Sequence, residues 1–179
     1  MTRPRAKRIV ILDRDGTLVI DRNYLSDPAG LEFMPGAAEG LRSLHARGYR
    51  LVVISNQSGV GRGLITPAQL QAMNVRLRDM VLETGARLEG VYCCPHRPED
   101  GCDCRKPGTR LLTDAAAELG FDPADAVVIG DKNSDIEFGH RAGALTILID
   151  PDGSHAAAQT ADYVARDLRE AAAILQGLE

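Results

Sequence analysis

The sequence predicts an α/β protein with a mostly parallel central sheet, and two observations support that prediction. Short apolar runs recur along the chain, as at residues 51–54 and 145–149. Between them lie longer segments whose apolar residues are three or four positions apart, which is the spacing of one helix face. Strands that alternate with helices form βα units, in which successive strands run parallel.

Each element follows from a local pattern in the sequence. The predicted strands are residues 8–12, 51–54, 90–93, 126–129 and 145–149, and the predicted helices are 37–47, 67–84, 110–119, 134–142 and a last one from Asp167. The clearest helix start is Thr66-Pro67-Ala68-Gln69, with a capping threonine, proline at the first helical position and glutamine three residues after the cap. Met73 and Met80 belong to the apolar stripe of that helix, so we interpret them as core residues. The pattern indicates a three-layer, Rossmann-like arrangement.

Length and composition narrow the class of protein further. The chain has 179 residues, of which 44% are hydrophobic and 26% charged, as is ordinary for a single domain over 1–179. A net charge of −4 argues against general affinity for nucleic acid. The apolar runs are far shorter than the roughly 20 residues that span a bilayer, and the run after the basic start MTRPRAKR ends at Asp13, too soon for a signal peptide. We therefore expect a cytoplasmic protein without nucleic-acid or membrane partners, with a monomer as the default.

Two aspartates stand where the first strand ends, in ILDRDGTL at residues 11–18. Asp13 and Asp15 are two positions apart, so their side chains face one site if the strand conformation persists. The carboxyl edge of a parallel sheet is where α/β proteins bind ligands. Two close carboxylates need a cation, and Mg²⁺ prefers oxygen ligands. The alternative is an ordinary Asp-Gly turn without a metal.

Similar polar groups follow the other predicted strands. Ser55 and Asn56 end the second strand, and a lysine, Lys106, lies in the RKP segment after the cysteines. Asp131 ends a later strand, in VVIGDKNSD, and Asp135 follows it by four residues. An acid pair, a hydroxyl, a lysine and a second acid pair in this order resemble the haloacid-dehalogenase-like (HAD-like) phosphohydrolases. The resemblance spans about residues 8–150.

The resemblance implies a role for each of these side chains. Asp13 is then the nucleophile that takes the phosphoryl group, and Asp15 the general acid that afterwards acts as base. Ser55 and Lys106 hold the phosphoryl oxygens. By the same resemblance Mg²⁺ is bound by Asp13, the backbone carbonyl of Asp15, and Asp131. Asp135 is implied either to orient other groups or to form a structural salt bridge.

Three loop motifs narrow the resemblance: DRNYL at 21–25, NQSGVGRG at 56–63, and the cysteine loop that runs into CRKP. Together they resemble bacterial D-glycero-D-manno-heptose 1,7-bisphosphate phosphatases, and histidinol-phosphate phosphatases are near relatives. The segments after Gly16 and after Gly59 are too short for a large cap domain. The resemblance implies removal of one phosphate, expected to be the 7-phosphate, in the synthesis of nucleotide-activated heptose for lipopolysaccharide. The implied substrate contacts are Asp21, Tyr24, Asn56, Gln57, Ser58, Arg62, Arg105 and Lys132.

Several alternatives stay open at this point. Arg62 could be a solvated loop arginine, and Tyr24 a packing residue. The segment RKPGTRLL lacks the extra Pro-Gly spacer of the heptose group, RKPxPGM. The cysteine loop of this chain is also short, closer in length to that of some histidinol-phosphate phosphatases. A phosphotransferase with the same aspartyl-phosphate chemistry and a non-catalytic zinc-stabilised module are the rival classes of function.

All four cysteines lie within residues 93–104, CCPHRPEDGCDC. In a reducing compartment this clustering favours a metal over disulfides. One set offers four soft ligands at regular spacing, namely Cys94, His96, Cys102 and Cys104. Three thiolates and an imidazole suit a closed, structural Zn²⁺ site. The alternative of Cys93 in place of Cys94 is disfavoured by the family's Cys-Pro-His pattern, and a closed zinc loop would fix where Arg105 and Lys106 point.

Overall fold

The computed structural model describes residues 9–178, and its centre is a sheet of parallel strands. These are β1 (Ile9–Leu12), β2 (Arg50–Asn56), β3 (Leu88–Cys94), β4 (Ala126–Gly130), β5 (Leu145–Ile149) and β6 (Tyr163–Ala165). Their order across the sheet is β3-β2-β1-β4-β5-β6. The predicted α/β class is confirmed. Arg8, at which the predicted first strand begins, lies outside the described residues, and β6 was not predicted.

Five helices cover the two faces of this sheet over residues 9–178. They are α1 (Ala37–Ala46), α2 (Pro67–Glu83), α3 (Arg110–Leu119), α4 (Asn133–Arg141) and α5 (Leu168–Gly177). Alternate residues of β1 face opposite layers because side chains in a strand alternate. Val10 and Leu12 pack with buried residues of α1, α2 and α5, whereas Ile9 and Ile11 pack with those of α3 and α4. The predicted three-layer arrangement is therefore confirmed.

Helix α2 begins as its sequence predicts. The N–H of Gln69 donates to Thr66 Oγ1 at 3.1 Å, and the N–H of Thr66 donates to Gln69 Oε1 at 2.8 Å, which completes a capping box. Met73 and Met80 are buried in the core. Among the described residues, no helix has both the length and the apolar character needed to cross a membrane.

The strand order places a crevice at the carboxyl edge of β1. This strand pairs with β2 on one side and β4 on the other, so the chain leaves neighbouring strands in opposite directions there. The N–H of Asp13 donates to the carbonyl of Ile129 in β4 at 3.0 Å, which continues the pairing past the end of β1. The segment between Gly16 and Ala37 is a small loop with one 3₁₀ turn at Pro28–Gly30. It forms no large cap, as predicted.

Candidate active site and cysteine cluster

Asp13 follows β1 directly and is buried. Lys106 Nζ lies 2.7 Å from Asp13 Oδ1 and 2.7 Å from Asp135 Oδ1. The same ammonium donates to the carbonyl of Ile54, near the end of β2, also at 2.7 Å. Burial by itself would raise the pKa of Asp13, but the positive charges of Lys106 and Lys132 outweigh it, so that this pKa is lowered. Asp13 is thus an ionised carboxylate at a sheet edge, as a nucleophile must be.

Asp131 lies opposite Asp13 at the end of β4, held by the loop after β1. The hydroxyl of Thr17 donates to Asp131 Oδ1 at 3.0 Å. Gly16 has φ +90°, and a Cβ at that position would lie 2.3 Å from Asp131 Oδ2. Only glycine therefore allows this close approach. Burial, and then the negative charge of Asp13, raise the pKa of Asp131 to about 6.

The oxygens predicted to bind Mg²⁺ surround one position, and the ammonium group of Lys132 lies there. Its Nζ lies 3.0 Å from the backbone oxygen of Asp15, 3.2 Å from Asp131 Oδ2 and 3.8 Å from Asp13 Oδ2. Hard oxygen donors around a common point suit Mg²⁺. A cation there would also relieve the repulsion that raises the pKa of Asp131. The residues present fit the metal.

Asp135 is the third member of what we call the carboxylate cluster. The cluster consists of Asp13, Asp131 and Asp135, whose oxygens lie within 4.8 Å of one another. Besides its ion pair with Lys106, Asp135 accepts the backbone N–H of Lys132 through Oδ2 at 3.0 Å. A Cβ on Gly130 would lie 2.3 Å from Asp135 Cγ, so this glycine makes room for the buried carboxylate. Of the two roles implied for Asp135, the salt bridge is present.

Asp15 belongs to a separate hydrogen-bond network. Arg14 Nε donates to Asp15 Oδ2 at 3.0 Å, and Arg14 Nη2 donates to Oδ1 at 3.1 Å. Gln57 Nε2 donates to Asp15 Oδ2 at 2.7 Å and to Ser55 Oγ at 2.8 Å. Sequence reasoning predicted Asp15 and Ser55 at this edge but missed Arg14. The only signal for it was its place between the two aspartates.

These groups surround a cavity of about 280 Å³. Eleven of the predicted site residues line it: Asp13, Asp15, Asp21, Tyr24, Ser55, Asn56, Gln57, Ser58, Arg105, Lys106 and Lys132. Arg14, Arg22, Asn23, Leu25, Ser134 and Asp135 also line it, although the sequence analysis did not assign them as substrate contacts. The structure therefore brings most of the predicted site together.

Two rim residues clarify alternatives that the sequence left open. Tyr24 is half-exposed and lines the cavity, and a Cβ on Gly59 would lie 2.8 Å from its ring, so the tyrosine also packs on the loop after β2. Arg62 lies outside the cavity-lining set, and its guanidinium is 3.7 Å from Glu99. A substrate contact by Arg62 stays a prediction.

Asn56, predicted to touch the sugar, also holds the backbone at Lys106. Its Nδ2 donates to the carbonyl of Lys106 at 3.1 Å, and its Oδ1 accepts the Lys106 N–H at 2.9 Å. This pair of bonds ties β2 to the loop that carries the lysine. The position of the Lys106 ammonium is thus fixed through the backbone as well as through its ion pairs.

The cysteine cluster, which we define as Cys94, His96, Cys102 and Cys104, gathers at the end of β3. Its ligand atoms lie within 4.8 Å of one another. The S–S distances are 3.1 to 3.6 Å, and His96 Nδ1 lies 3.1 Å from Cys104 Sγ. A tetrahedron with Zn–S bonds near 2.3 Å has edges of about 3.8 Å, close to this spacing. All four cysteines of the chain are free, so the disulfide alternative is not present. The residues fit a structural Zn²⁺.

Cys93 stands apart from this cluster. It belongs to β3, as predicted, and its sulfur contacts the side-chain amide of Asn74 at 3.6 Å. Burial raises the pKa of its thiol. The set that gathers contains Cys94 and not Cys93, in agreement with the Cys-Pro-His pattern.

The chain is similar in sequence and in structure to known phosphatases. A family model described as HAD-hydrolase-like matches residues 103–171. The structure is similar to a D,D-heptose 1,7-bisphosphate phosphatase from B. bronchiseptica complexed with magnesium and phosphate, with a TM-score of 0.84 and 28% identity over 96% of this chain and 99% of that one. The protein is therefore a phosphatase of the HAD-like class.

Curated relatives give the family within this class. The D-glycero-beta-D-manno-heptose-1,7-bisphosphate 7-phosphatase of Pasteurella multocida is 33% identical over 97% of this chain and 99% of its own length. The enzyme of the same name from Helicobacter pylori is 40% identical over 79% of this chain and 82% of its own length. The chain belongs to the family of heptose-1,7-bisphosphate 7-phosphatases. The resemblance seen in the sequence is confirmed.

Proposed function

We propose that this protein removes the 7-phosphate of D-glycero-D-manno-heptose 1,7-bisphosphate. The observation that supports the proposal most is the pairing of a buried, ionised Asp13 with Lys106 at the base of a cavity that carries further cations. Relatives of 33% and 40% identity are named for this reaction. The product is a heptose 1-phosphate, the kind of sugar phosphate from which nucleotide-activated heptose is made.

In the first half of the reaction the phosphoryl group moves to the protein. Asp13 attacks the phosphorus of the 7-phosphate and forms an aspartyl phosphate, while the bond from phosphorus to the sugar oxygen breaks. Asp15, in its acid form, gives a proton to the departing oxygen, so that the sugar leaves as an alcohol. Lys106 and the hydroxyl of Ser55 face the transferring oxygens and offset their charge.

In the second half Asp15 acts as base. It takes a proton from a water molecule that attacks the phosphorus, and the bond from phosphorus to Asp13 breaks. Inorganic phosphate leaves, and both carboxyl groups return to their starting forms. Asp13, Asp131 and the backbone carbonyl of Asp15 would hold Mg²⁺, which when bound supplies positive charge to the transferring group.

The cations around the cavity favour a substrate with two phosphates. Lys106 is committed to Asp13 and Asp135, and Arg14 is committed to Asp15. Arg105 lines the same cavity, and its guanidinium makes a long hydrogen bond of 3.5 Å to the carbonyl of His96. Its charge is therefore available for the phosphate that is not transferred.

A side-by-side assay tests the substrate. Purified protein with Mg²⁺ is given both anomers of heptose 1,7-bisphosphate, and histidinol phosphate, and phosphate release is followed with ³¹P NMR to identify which ester is cleaved. We expect kcat/KM for the better bisphosphate anomer to exceed that for histidinol phosphate by about 10²-fold or more, because the second phosphate adds a charge-assisted contact. The Asp13→Asn variant serves as the blank and should lose about 10⁴-fold or more of the activity.

Three outcomes would contradict parts of this proposal. A preference for histidinol phosphate by orders of magnitude would replace the substrate. Loss of the substrate ester without stoichiometric release of inorganic phosphate would indicate a phosphotransferase. Activity that survives in Asp13→Asn would exclude Asp13 as the nucleophile.

We further propose that the protein acts as a monomer in the cytoplasm. A reducing environment there keeps the thiols of the cysteine cluster available for zinc. Light scattering after size-exclusion chromatography would test whether the protein is a monomer.

A further inference from the structure

Arg14 is buried between the two aspartates of the first loop. Only 3% of its surface is exposed. Its carbonyl accepts the N–H groups of Leu18 and Val19 at 2.9 and 3.0 Å, which fixes its backbone. Its guanidinium then turns onto the next residue and binds both oxygens of the Asp15 carboxylate. A two-bond fork of this kind fixes the plane of a carboxylate as well as its position.

Gln57, which directly follows the neighbouring strand β2, completes the arrangement. Its side-chain oxygen accepts from Arg14 Nη2 at 2.9 Å, and its Nε2 donates to both Asp15 and Ser55. Its backbone N–H donates to the carbonyl of Cys94 at 2.7 Å. The N–H groups of the Gln57 side chain are therefore directed to Asp15 and Ser55. A contact between Gln57, which lines the cavity, and the sugar stays a prediction.

This network includes a buried donor that is unfavourable for the stability of the fold. Arg14 Nη1 is buried and has no hydrogen-bond partner among the described residues. A buried guanidinium with an unused donor lowers the stability of the fold relative to an apolar side chain of similar size. A role in the reaction accounts for keeping an arginine there.

We propose that Arg14, assisted by Gln57, positions the carboxyl group of Asp15 for proton transfer. The proposal rests on the function above, in which Asp15 first protonates the departing oxygen and then activates water. A carboxyl group performs both steps only if one oxygen stays directed at the reacting atoms. Arg14 does not touch the substrate in this scheme; it acts through Asp15.

The dependence of the rate on the leaving group tests this role. Formation of the aspartyl phosphate determines kcat/KM, and an ester with a good leaving group needs little protonation. We expect Arg14→Met to lower kcat/KM for the best alkyl phosphate about 10²-fold, the lower end of the usual contribution of a general acid. For p-nitrophenyl phosphate, we expect a change of less than about 3-fold, since the departing phenolate needs no proton. Arg14→Lys should lie between Arg14→Met and the unmodified protein, because it keeps the charge and loses the fork.

Matched variants separate positioning from a loss of structure or of substrate binding. Gln57→Leu should also lower the rate for the alkyl ester more than that for p-nitrophenyl phosphate, in addition to a loss common to both esters because Gln57 also holds Ser55. It can replace Arg14→Met if that variant fails to fold. Arg22 lines the same cavity but pairs with Glu32, so Arg22→Met should change both esters by the same factor. Melting temperature and zinc content are measured for every variant.

The rates for the two esters can contradict the role proposed for Arg14 in two ways. An equal loss on both esters in Arg14→Met and Gln57→Leu would assign a structural or binding role and overturn the proposal. No loss, or a gain on the alkyl ester, would mean that Asp15 needs no such support. Because the selectivity is measured with any alkyl phosphate that the protein hydrolyses, failure of heptose bisphosphate as substrate would overturn the proposed function and leave this inference standing.

Discussion

The carboxylate cluster and the cysteine cluster both gather metal-ligating side chains within 4.8 Å, but they do so in different ways. The carboxylate cluster joins the ends of β1 and β4 with the start of α4, and Lys106, which pairs with it, is 93 positions away from Asp13. The cysteine cluster comes from one loop, and Cys94 and Cys104 are ten positions apart. One site therefore exists only when the sheet has formed, whereas the other closes a local loop.

The two clusters meet at Lys106. Arg105 and Lys106 follow Cys104 with no residue between, and Asn56 holds the Lys106 backbone from the β2 side. The two clusters therefore have different roles in placing Lys106. The carboxylate cluster binds the ammonium, and the cysteine cluster fixes the loop that delivers it.

Among the changes that compare the two clusters, the largest effect is expected from Lys106→Met, which breaks the carboxylate cluster. The two carboxylates outweigh burial and raise the pKa of Lys106, so its charge is present at all neutral pH values. Without it, Asp13 and Asp135 are left buried without that cation, and we expect the free energy of unfolding to fall by about 3–5 kcal/mol. The kcat/KM should fall about 10³-fold. Urea denaturation and phosphate release measure the two effects.

Two controls sharpen that experiment. Asp135→Asn on the Lys106→Met background removes one of the stranded charges, so it should restore part of the stability and none of the activity. Arg105→Met changes the neighbouring, less buried residue and should alter the free energy of unfolding by no more than about 0.5 kcal/mol. If Lys106→Met is as stable as the unmodified protein, the ion pairs do not hold the cluster together.

Cys104→Ser tests the cysteine cluster, with a smaller effect expected. Loss of one thiolate should reduce the zinc content and loosen the loop, lowering kcat/KM about 10–100-fold through the position of Lys106. Cys93→Ser is the matched control, because Cys93 lies outside the cluster, and it should keep its zinc and its activity. Elemental analysis and the phosphate assay are compared for both. Full activity in zinc-depleted Cys104→Ser would show that this loop does not position Lys106.

The fold was largely predictable from the sequence because its strands and helices carry clear periodic patterns. Helix α3 and strand β5 have the predicted bounds. Strand β6 was missed because Tyr163–Ala165 is only three residues long and only Ala165 is buried, so no alternation is visible in the sequence. It forms a strand because β5 offers it an edge, which is a property of the assembled sheet.

The site was predictable where it depends on strand ends and unpredictable where it depends on side-chain direction. Asp13 and Asp131 follow strands that the sequence already indicated, and parallel strands gather their carboxyl ends at one edge. The turn of Arg14 onto Asp15, and the commitment of Gln57 to the same network, depend on rotamers that no spacing pattern specifies. Arg62 lies outside the cavity for the same kind of reason, since its direction is set by the loop.

The smallest effect expected is a pH dependence that separates the two clusters. Mg²⁺ binds the ionised form of Asp131, whose pKa is raised to about 6 in the metal-free protein by burial and by Asp13. Protons therefore compete with Mg²⁺ below pH 6, and the competition disappears above pH 7. Calorimetric titration of zinc-loaded protein should show an affinity for Mg²⁺ that falls about fivefold from pH 6 to pH 5 and is nearly flat from pH 7 to pH 8. Asp131→Asn should bind Mg²⁺ weakly and lose this step, and zinc content measured at each pH shows whether the cysteine cluster is intact. Equal affinity at pH 5 and pH 7 would mean that Asp131 is already ionised at pH 5. An Asp131→Asn variant that binds Mg²⁺ as tightly as the unmodified protein would remove this residue from the set of carboxylates that holds the metal.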